Sequence, residues 1–210
     1  PLSGRLWAVY LRAITRCQRP KSHMLALYEK AAHSRGVALL GGASLLSLLQ
    51  ARIDCERAYA AMELAHAQKK SPDQVLVVTE MDHFMHVYEL FLHSISAMQR
   101  LPASEQDASV ALERCAVDWI ERAARALAQT AGLEASAGLY PLADDVWTHA
   151  LEQHPMHATA YLEAAQYFQR RDDDKRARQT YKAAVAKQGL DNKASICLLY
   201  TSDAADDSLR

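Results

Sequence analysis

The chain has 210 residues, half of them apolar and 23% charged, which is enough apolar material for a core and argues against global disorder. Its 24 basic and 25 acidic residues leave a formal net charge of −1, so no overall field favours nucleic acid or an anionic membrane. Seven glycines and six prolines are few for this length, which argues against a turn-rich β protein and for long helices with few breaks.

Apolar residues recur at helical spacing along most of the chain. Trp7, Tyr10, Leu11 and Ile14 follow i, i+3, i+4, i+7 and predict a first helix, broken at Pro20. Met24, Leu27, Tyr28 and Ala31 predict a second, ending near Arg35-Gly36 as a C-cap. The uncharged stretch 36–51, interrupted by Gly41, Gly42, Ser44 and Ser47, is shorter than a membrane span needs and reads as a loop entering a buried helix. A long third helix is expected from about Ala43 to Gln68, and Ser71-Pro72 breaks it. The apolar run Val75 to Val78 has strand character, but an isolated strand has nothing to pair with. Phe84, Val87, Tyr88, Phe91 and Ile95 define a fourth helix, ending near Arg100. Pro102 opens a fifth, which holds Cys115, Trp119, Ala123 and Leu127. Gly132 and Gly138 bracket a connector. Pro141 suits the first turn of a sixth helix with Ala143, Val146, Trp147 and Ala150, stopped by His154-Pro155. Tyr161, Ala164, Ala165 and Phe168 make a seventh. Asp172 to Asp174 form a turn and an N-terminal cap for an eighth with Ala177, Tyr181, Ala184 and Val185, ending before Gly189.

The eight helices fall into four antiparallel pairs with a shared pattern. Second helices carry an aromatic followed three residues later by Ala: Tyr28/Ala31, Trp147/Ala150 and Tyr181/Ala184. First helices carry Trp7/Tyr10 and Tyr161/Ala164. Trp7 precedes Tyr28 by 21 residues, and Tyr161 precedes Tyr181 by 20. A bulky ring on one helix needs a small residue opposite, and residues three apart share a face. Units of this size cannot bury their apolar sides alone, which is the mark of a stacked helical array.

These residues resemble the half-a-TPR (HAT) repeat. The matching runs are Leu6-Trp7-x-x-Tyr10-Leu11, Leu27-Tyr28-Glu29-Lys30-Ala31, Val146-Trp147-Thr148-His149-Ala150-Leu151, and Tyr161-Leu162-Glu163 followed by Tyr181-Lys182-Ala183-Ala184. Two short pairs flank two longer ones, a layout similar to the HAT region of the family of the squamous cell carcinoma antigen recognised by T cells 3. Leu49 and Arg52 depart from the pattern, standing where the second pair would want its Trp and Tyr. The resemblance covers about residues 5–190. It implies an all-α superhelix, or solenoid, of about four HAT/TPR-like pairs over residues 1–196. It further implies a nuclear scaffold in pre-mRNA splicing and snRNP assembly or recycling, bound to other proteins. Self-association as a homodimer and an indirect or weak RNA contact from this region are also implied. The alternative is a generic TPR-like adaptor without an RNA role, in the cytoplasm or nucleus. A helical enzyme is the third and least supported reading.

The ending Cys197 to Asp206 differs in composition from what precedes it. The DNA string TGT CTC TTA TAC ACA TCT GAC GCT GCC GAC, which resembles a sequencing adapter, encodes it residue for residue. We expect residues 197–210 to be foreign to the native protein, and the native chain to extend beyond both Pro1 and Ile196.

Candidate chemistry is sparse. His83 and His86, beside Asp82 and with His93 further on, have i, i+3 spacing but lack H-E-x-x-H spacing and a fourth ligand, so they read as solvated helix histidines. His149, His154 and His157 have no nucleophile elbow to serve. Asp144-Asp145 and Asp172 to Asp174 sit at helix starts, where carboxylates complement the dipole. No Gly-rich phosphate loop is present, and no cofactor or metal is expected. Cys17, Cys55, Cys115 and Cys197 form no C-x-x-C pair and suit a reducing compartment. The basic residues Arg170, Arg171, Lys175, Arg176, Arg178, Lys182 and Lys187 cluster. Within them Arg171, Lys175, Arg178 and Lys182 could line one face, as a solvated face or as a contact patch for RNA or an acidic peptide. Trp7, Tyr10, Tyr28, Ala31, Tyr88, Trp119, Trp147, Ala150, Tyr161, Tyr181 and Ala184 are expected to be the structural signature of the repeats, with Trp7, Trp119 and Trp147 packed in its core.

Overall fold

Helix ends in this chain follow from a few residues with special backbone roles. A computed structural model of the chain describes residues 3–34, 41–70, 76–100, 102, 105–131, 137–187, 189–190 and 196. Among them are eight helices and no strand: α1 (Gly4–Arg16), α2 (Lys21–Ala32), α3 (Gly41–Lys70), α4 (Leu76–Met98), α5 (Gln106–Ala131), α6 (Tyr140–Gln153), α7 (Ala158–Arg170) and α8 (Asp174–Ala186). The Ser3 hydroxyl accepts the Leu6 amide at 3.4 Å and caps α1. Pro20 stands at the N-cap of α2, and Pro141 lies in the first turn of α6, where a missing N–H costs no helical bond.

The turns α1–α2 and α7–α8 share one design. Gln18 and Asp172 both adopt left-handed backbone, with φ of 52° and 58°. In the first turn the Arg19 amide donates to the Ile14 carbonyl and the Gln18 amide to Thr15. In the second, the Asp173 amide donates to Phe168 and the Asp172 amide to Gln169. Both are Schellman closures, which satisfy the last carbonyls of the first helix. Asp tolerates this conformation better than most side chains. Asp173 then caps α8 by accepting the Arg176 amide at 3.1 Å.

The helix bounds differ from the sequence expectation in two places. Helix α2 ends at Ala32 with His33 as its C-cap, short of the expected Arg35-Gly36, which lies outside the described residues. Helix α4 starts at Leu76, so Val77 and Val78 are helical rather than strand-like, and Val75 lies outside the described residues. A continuous helix satisfies their backbone groups locally, which an unpaired strand does not. Gly132 and the tail 197–210 are likewise outside the described residues. No helix among the described residues is long and apolar enough to cross a membrane.

The chain divides into two compact units, Pro1–Leu112 and Glu113–Arg210, with the boundary inside α5. In the first unit α1 packs chiefly on α3, α3 also packs on α4, and α2 packs on both α1 and α3. Trp7, Leu11, Met24, Tyr28 and Ala31 are buried with Leu48, Ile53, Phe84, Tyr88 and Phe91. Arg52, the departure from the repeat pattern, sets its guanidinium 4.2 Å over the Tyr28 ring. The Tyr59 hydroxyl donates to the Arg19 carbonyl at 2.7 Å and ties α3 to the α1–α2 turn. Buried Glu56 of α3 faces Lys21 Nζ at 2.8 Å and His86 Nε2 at 3.6 Å, so one carboxylate links α2, α3 and α4.

In the second unit α7 packs on both α6 and α8. Trp147, Tyr167 and Tyr181 are among its largest fully buried side chains, beside the fully buried Ala143, Ala150, Ala164, Ala165, Ala177 and Ala184. Tyr161, Ala165, Tyr181, Ala184, Leu190 and Ile196 form one apolar cluster. His154, the C-cap of α6, brings Nε2 to 3.3 Å from Glu113 Oε1 of α5, and both side chains are buried. The chain is therefore all-helical and built from packed helix pairs.

A close backbone approach lies at the start of α1. The Gly4 amide donates to Ser44 Oγ at 2.7 Å, and a Cβ on Gly4 would stand 1.9 Å from the Ser44 carbonyl oxygen. Helix propensity alone favours Ala over Gly by about 1 kcal/mol. The overlap outweighs this, because α1 must move off α3 to relieve it. Gly4→Ala is therefore expected to lower stability, by about 1–3 kcal/mol for an overpacked contact, as measured by urea unfolding. A Gly4→Ala chain as stable as the parent would refute the close approach.

Candidate functional site

Asp144 occupies the second turn of α6 and organises the polar side of the second unit. Its Oδ1 accepts the Tyr167 hydroxyl at 2.7 Å and Arg171 Nη1 at 2.8 Å. Its Oδ2 accepts Arg176 Nη1 at 2.6 Å. One carboxylate thus joins α6, α7, the α7–α8 turn and α8. Arg171 Nη1 also reaches the Tyr167 oxygen at 3.0 Å, and its guanidinium lies 4.2 Å over the Tyr140 ring. Arg176 Nε donates to Asp173, and its guanidinium lies 4.7 Å over the Phe168 ring. Charge-assisted bonds of this kind are stronger than neutral ones and fix the orientation of each group.

The electrostatics follow from that geometry. Burial, then the hydrogen bond to Asp144, push the Tyr167 phenol well above its ordinary range, so it remains a neutral donor. Hydrogen bonds from the Arg176 side chain and amide hold Asp173 below the ordinary carboxylate range. The network is closed on itself: each anion faces a cation, and Tyr167 serves Asp144.

Beside this network lies an open groove of about 460 Å³ between α6, α7 and α8. Leu151, Tyr161, Phe168 and Ala183 supply its apolar surface, with Thr148, Glu152, Gln179 and Thr180 at the polar positions. Arg176 and Lys187 also line it, and Lys187 Nζ stands 5.7 Å from the Tyr161 ring centroid. Arg176, Thr180, Ala183 and Lys187 follow i, i+4, i+7, i+11 along one face of α8. Tyr161 and Phe168 are buried beneath these cations, and the open part of the groove, beside Leu151 and Ala183, has room for a side chain or a short peptide segment.

The residues singled out in the sequence distribute as follows. Trp7, Tyr28, Ala31, Tyr88, Trp119, Trp147, Ala150, Tyr161, Tyr181 and Ala184 are buried. Tyr10 is 51% exposed, on the side of α1 away from α3. The face Arg171, Lys175, Arg178 and Lys182 does not act as one set. Lys175 and Lys182 are exposed, whereas Arg171 is turned onto Asp144 and two tyrosine rings. Among the histidines, His83 faces Glu63 at 4.0 Å and His86 faces Glu56, so they serve separate carboxylates. Among the described residues no three His, Cys, Asp or Glu side chains come together as metal ligands. In sequence Asp144 stands at a helix start as a dipole partner, and nothing local marks it as a hub. The sequence signal for the groove is the Arg176-to-Lys187 spacing, on a different face from Arg171, Lys175, Arg178 and Lys182.

The depressed Asp173 carboxyl makes a signed prediction. A group whose folded pKa lies below its unfolded value stabilises the fold above the unfolded pKa, and that contribution disappears as pH falls through the folded value. Asp173→Asn can still accept the Arg176 amide but loses the charge pairing. Asp173→Ala loses both and is expected to cost about 1 kcal/mol, as for other N-caps. In thermal unfolding at neutral pH the order of stability is expected to be parent, then Asn, then Ala. The gap between parent and Asn should close on acidification below the carboxylate range; a gap that is unchanged there would contradict the pairing.

No family model, curated protein or solved structure matches this chain.

Proposed function

We infer that this chain is a protein-interaction scaffold of HAT repeats serving RNA processing, within pre-mRNA splicing and snRNP assembly or recycling, and that it is not an enzyme. The observation that carries the scaffold reading is the groove between α6, α7 and α8. Its cations and the apolar surface of Leu151 and Ala183 suit a peptide or helix from another protein, with polar groups at the rim. The charges around it are committed to one another through Asp144, which favours a rigid binding wall over acid–base work. The RNA-processing assignment rests on the resemblance of the paired motifs to HAT repeats. It carries with it a nuclear location and protein partners, with RNA contacted indirectly or weakly.

Ala183 is exposed on the groove wall, so Ala183→Arg should fill the groove without disturbing the core. Tagged chain added to nuclear extract is expected to enrich splicing or snRNP proteins, and Ala183→Arg to reduce that recovery at least about tenfold, equivalent to about 1.4 kcal/mol. Recovery of no splicing component by the parent chain would overturn the RNA-processing reading. Equal recovery by Ala183→Arg would remove the groove as the binding surface.

A further inference from the structure

Charge is unevenly shared along the chain. The first 60 residues hold nine Lys and Arg against three Asp and Glu, whereas the whole chain holds 24 against 25. Each of those three carboxylates already faces a group of the first unit. Asp54 accepts Arg12 at 2.9 Å, buried Glu56 faces Lys21 at 2.8 Å, and Glu29 lies 3.8 Å from His33 of its own helix. Arg5, Arg16, Arg19, Lys30 and Arg57 are exposed and form no ion pair among the described residues. Helices α1 and α3 run parallel in one register: Gly4 meets Ser44, Arg12 meets Asp54, and the Arg19 carbonyl meets Tyr59. Arg16 stands one turn beyond Arg12 on α1, and Arg57 one turn beyond Asp54 on α3. The register therefore sets Arg16 beside Arg57, just past the neutralised pair. The first turn of α2, which begins at this end, holds no acidic residue.

The same edge of α1 borders an apolar stripe. Leu6, Val9 and Tyr10 are exposed by 55%, 63% and 51%, and with exposed Ala13 they follow i, i+3, i+4, i+7. Trp7, Ala8, Leu11 and Ile14, on the other side of the helix, are buried. Helix α1 is thus apolar on two faces and covered on one. At about 100° per residue, Arg5 and Arg16 lie together on the Val9 side of the uncovered stripe.

We propose that this face of the first unit binds an acidic amphipathic helix of another protein. The apolar side of that helix lies on Leu6, Val9, Tyr10 and Ala13, and a row of carboxylates along its edge meets Arg5, Arg16 and Arg57. A stripe about 100° wide and about 10 Å long matches the contact of one helix laid on another. Nucleic acid would meet the arginines but leave the apolar stripe against phosphate and water. A basic helix would oppose like charges at Arg16 and Arg57. Arg12 contributes nothing to the choice, because Asp54 already neutralises it. A contact of four apolar positions and three cations is small and reversible. This inference concerns the first unit and does not rest on the groove in the second.

The test is fluorescence polarisation of the whole chain with a labelled synthetic peptide of about 18 residues, leucines at i, i+3, i+4 and i+7 and glutamates elsewhere. A second peptide carries lysines in place of the glutamates. The glutamate peptide is expected to bind with a Kd of about 10–100 μM that weakens with added salt, and the lysine peptide at least about tenfold more weakly. Arg16→Glu, Arg57→Glu and Val9→Glu should each weaken the glutamate peptide at least about fivefold. Arg122→Glu, the same charge change at an exposed site on α5, should leave its binding unchanged. All four positions are exposed, and unchanged helical circular dichroism checks the fold. No binding of the glutamate peptide at about 1 mM, or equal binding of the lysine peptide, would overturn the proposal. So would parent-like binding by both Arg16→Glu and Val9→Glu. Single-stranded RNA or phosphatidylserine vesicles that bind more tightly than the glutamate peptide, and lose that binding in Arg16→Glu, would assign the face to phosphate groups and overturn it as well.

Discussion

A helical stripe that alternates large rings with alanines can be closed only by another helix lying near it. Leucines alone would hold two helices apart; the alanines let the backbones approach until each ring fills the gap opposite. In the second unit this constraint governs Trp147, Tyr167 and Tyr181, each almost fully buried beside alanines with no exposure at all. In the first unit it reaches its limit at Gly4, where not even a methyl group fits beside the Ser44 carbonyl. The helices cannot slide or rotate against one another without opening a void under a ring. The positions of Asp144, Arg171 and Arg176 on the same helices follow from that rigidity.

Charged groups inside such a structure are costly unless they are paired, and three carboxylates here are paired across helices. Glu56 lies between Lys21 and His86, Glu113 meets His154, and Asp144 meets Tyr167, Arg171 and Arg176. Desolvation consumes most of the attraction in a buried ion pair, so these contacts contribute little net stability. Their effect is on register, because a helix displaced by one turn would leave a buried charge unpaired. This is also why the groove wall is stiff. Arg176 lines the groove, and three hydrogen bonds to Asp144 and Asp173 hold it there.

The all-helical architecture and the residues of its stripes were legible from periodicity alone. Spacing of three and four residues assigns a face before any partner is known, and the buried Trp147, Tyr161 and Tyr181 lie on the faces it assigns. The turn at Asp172 and Asp173 was legible for the same local reason: an aspartate that tolerates left-handed backbone, followed by one that caps. Helix ends were less legible where no such residue stands, as at Ala32 and Leu76. The repeat pattern includes Tyr10 among its aromatics without saying where it faces; it is exposed, because α1 has two apolar faces and periodicity cannot say which one a neighbour covers.

What the sequence determined by itself was therefore the type of each element, the apolar faces and the capping residues, all properties of a few adjacent positions. Tertiary structure decided which of two apolar faces is buried, which of the seven basic residues turn onto Asp144, and that Asp144 gathers groups from 23 to 32 residues away. Those outcomes depend on which helices lie side by side. A basic cluster of Arg171, Arg176 and Lys187 reads the same in sequence whether its members face water, a carboxylate or a ring; only the neighbouring helices separate the three cases.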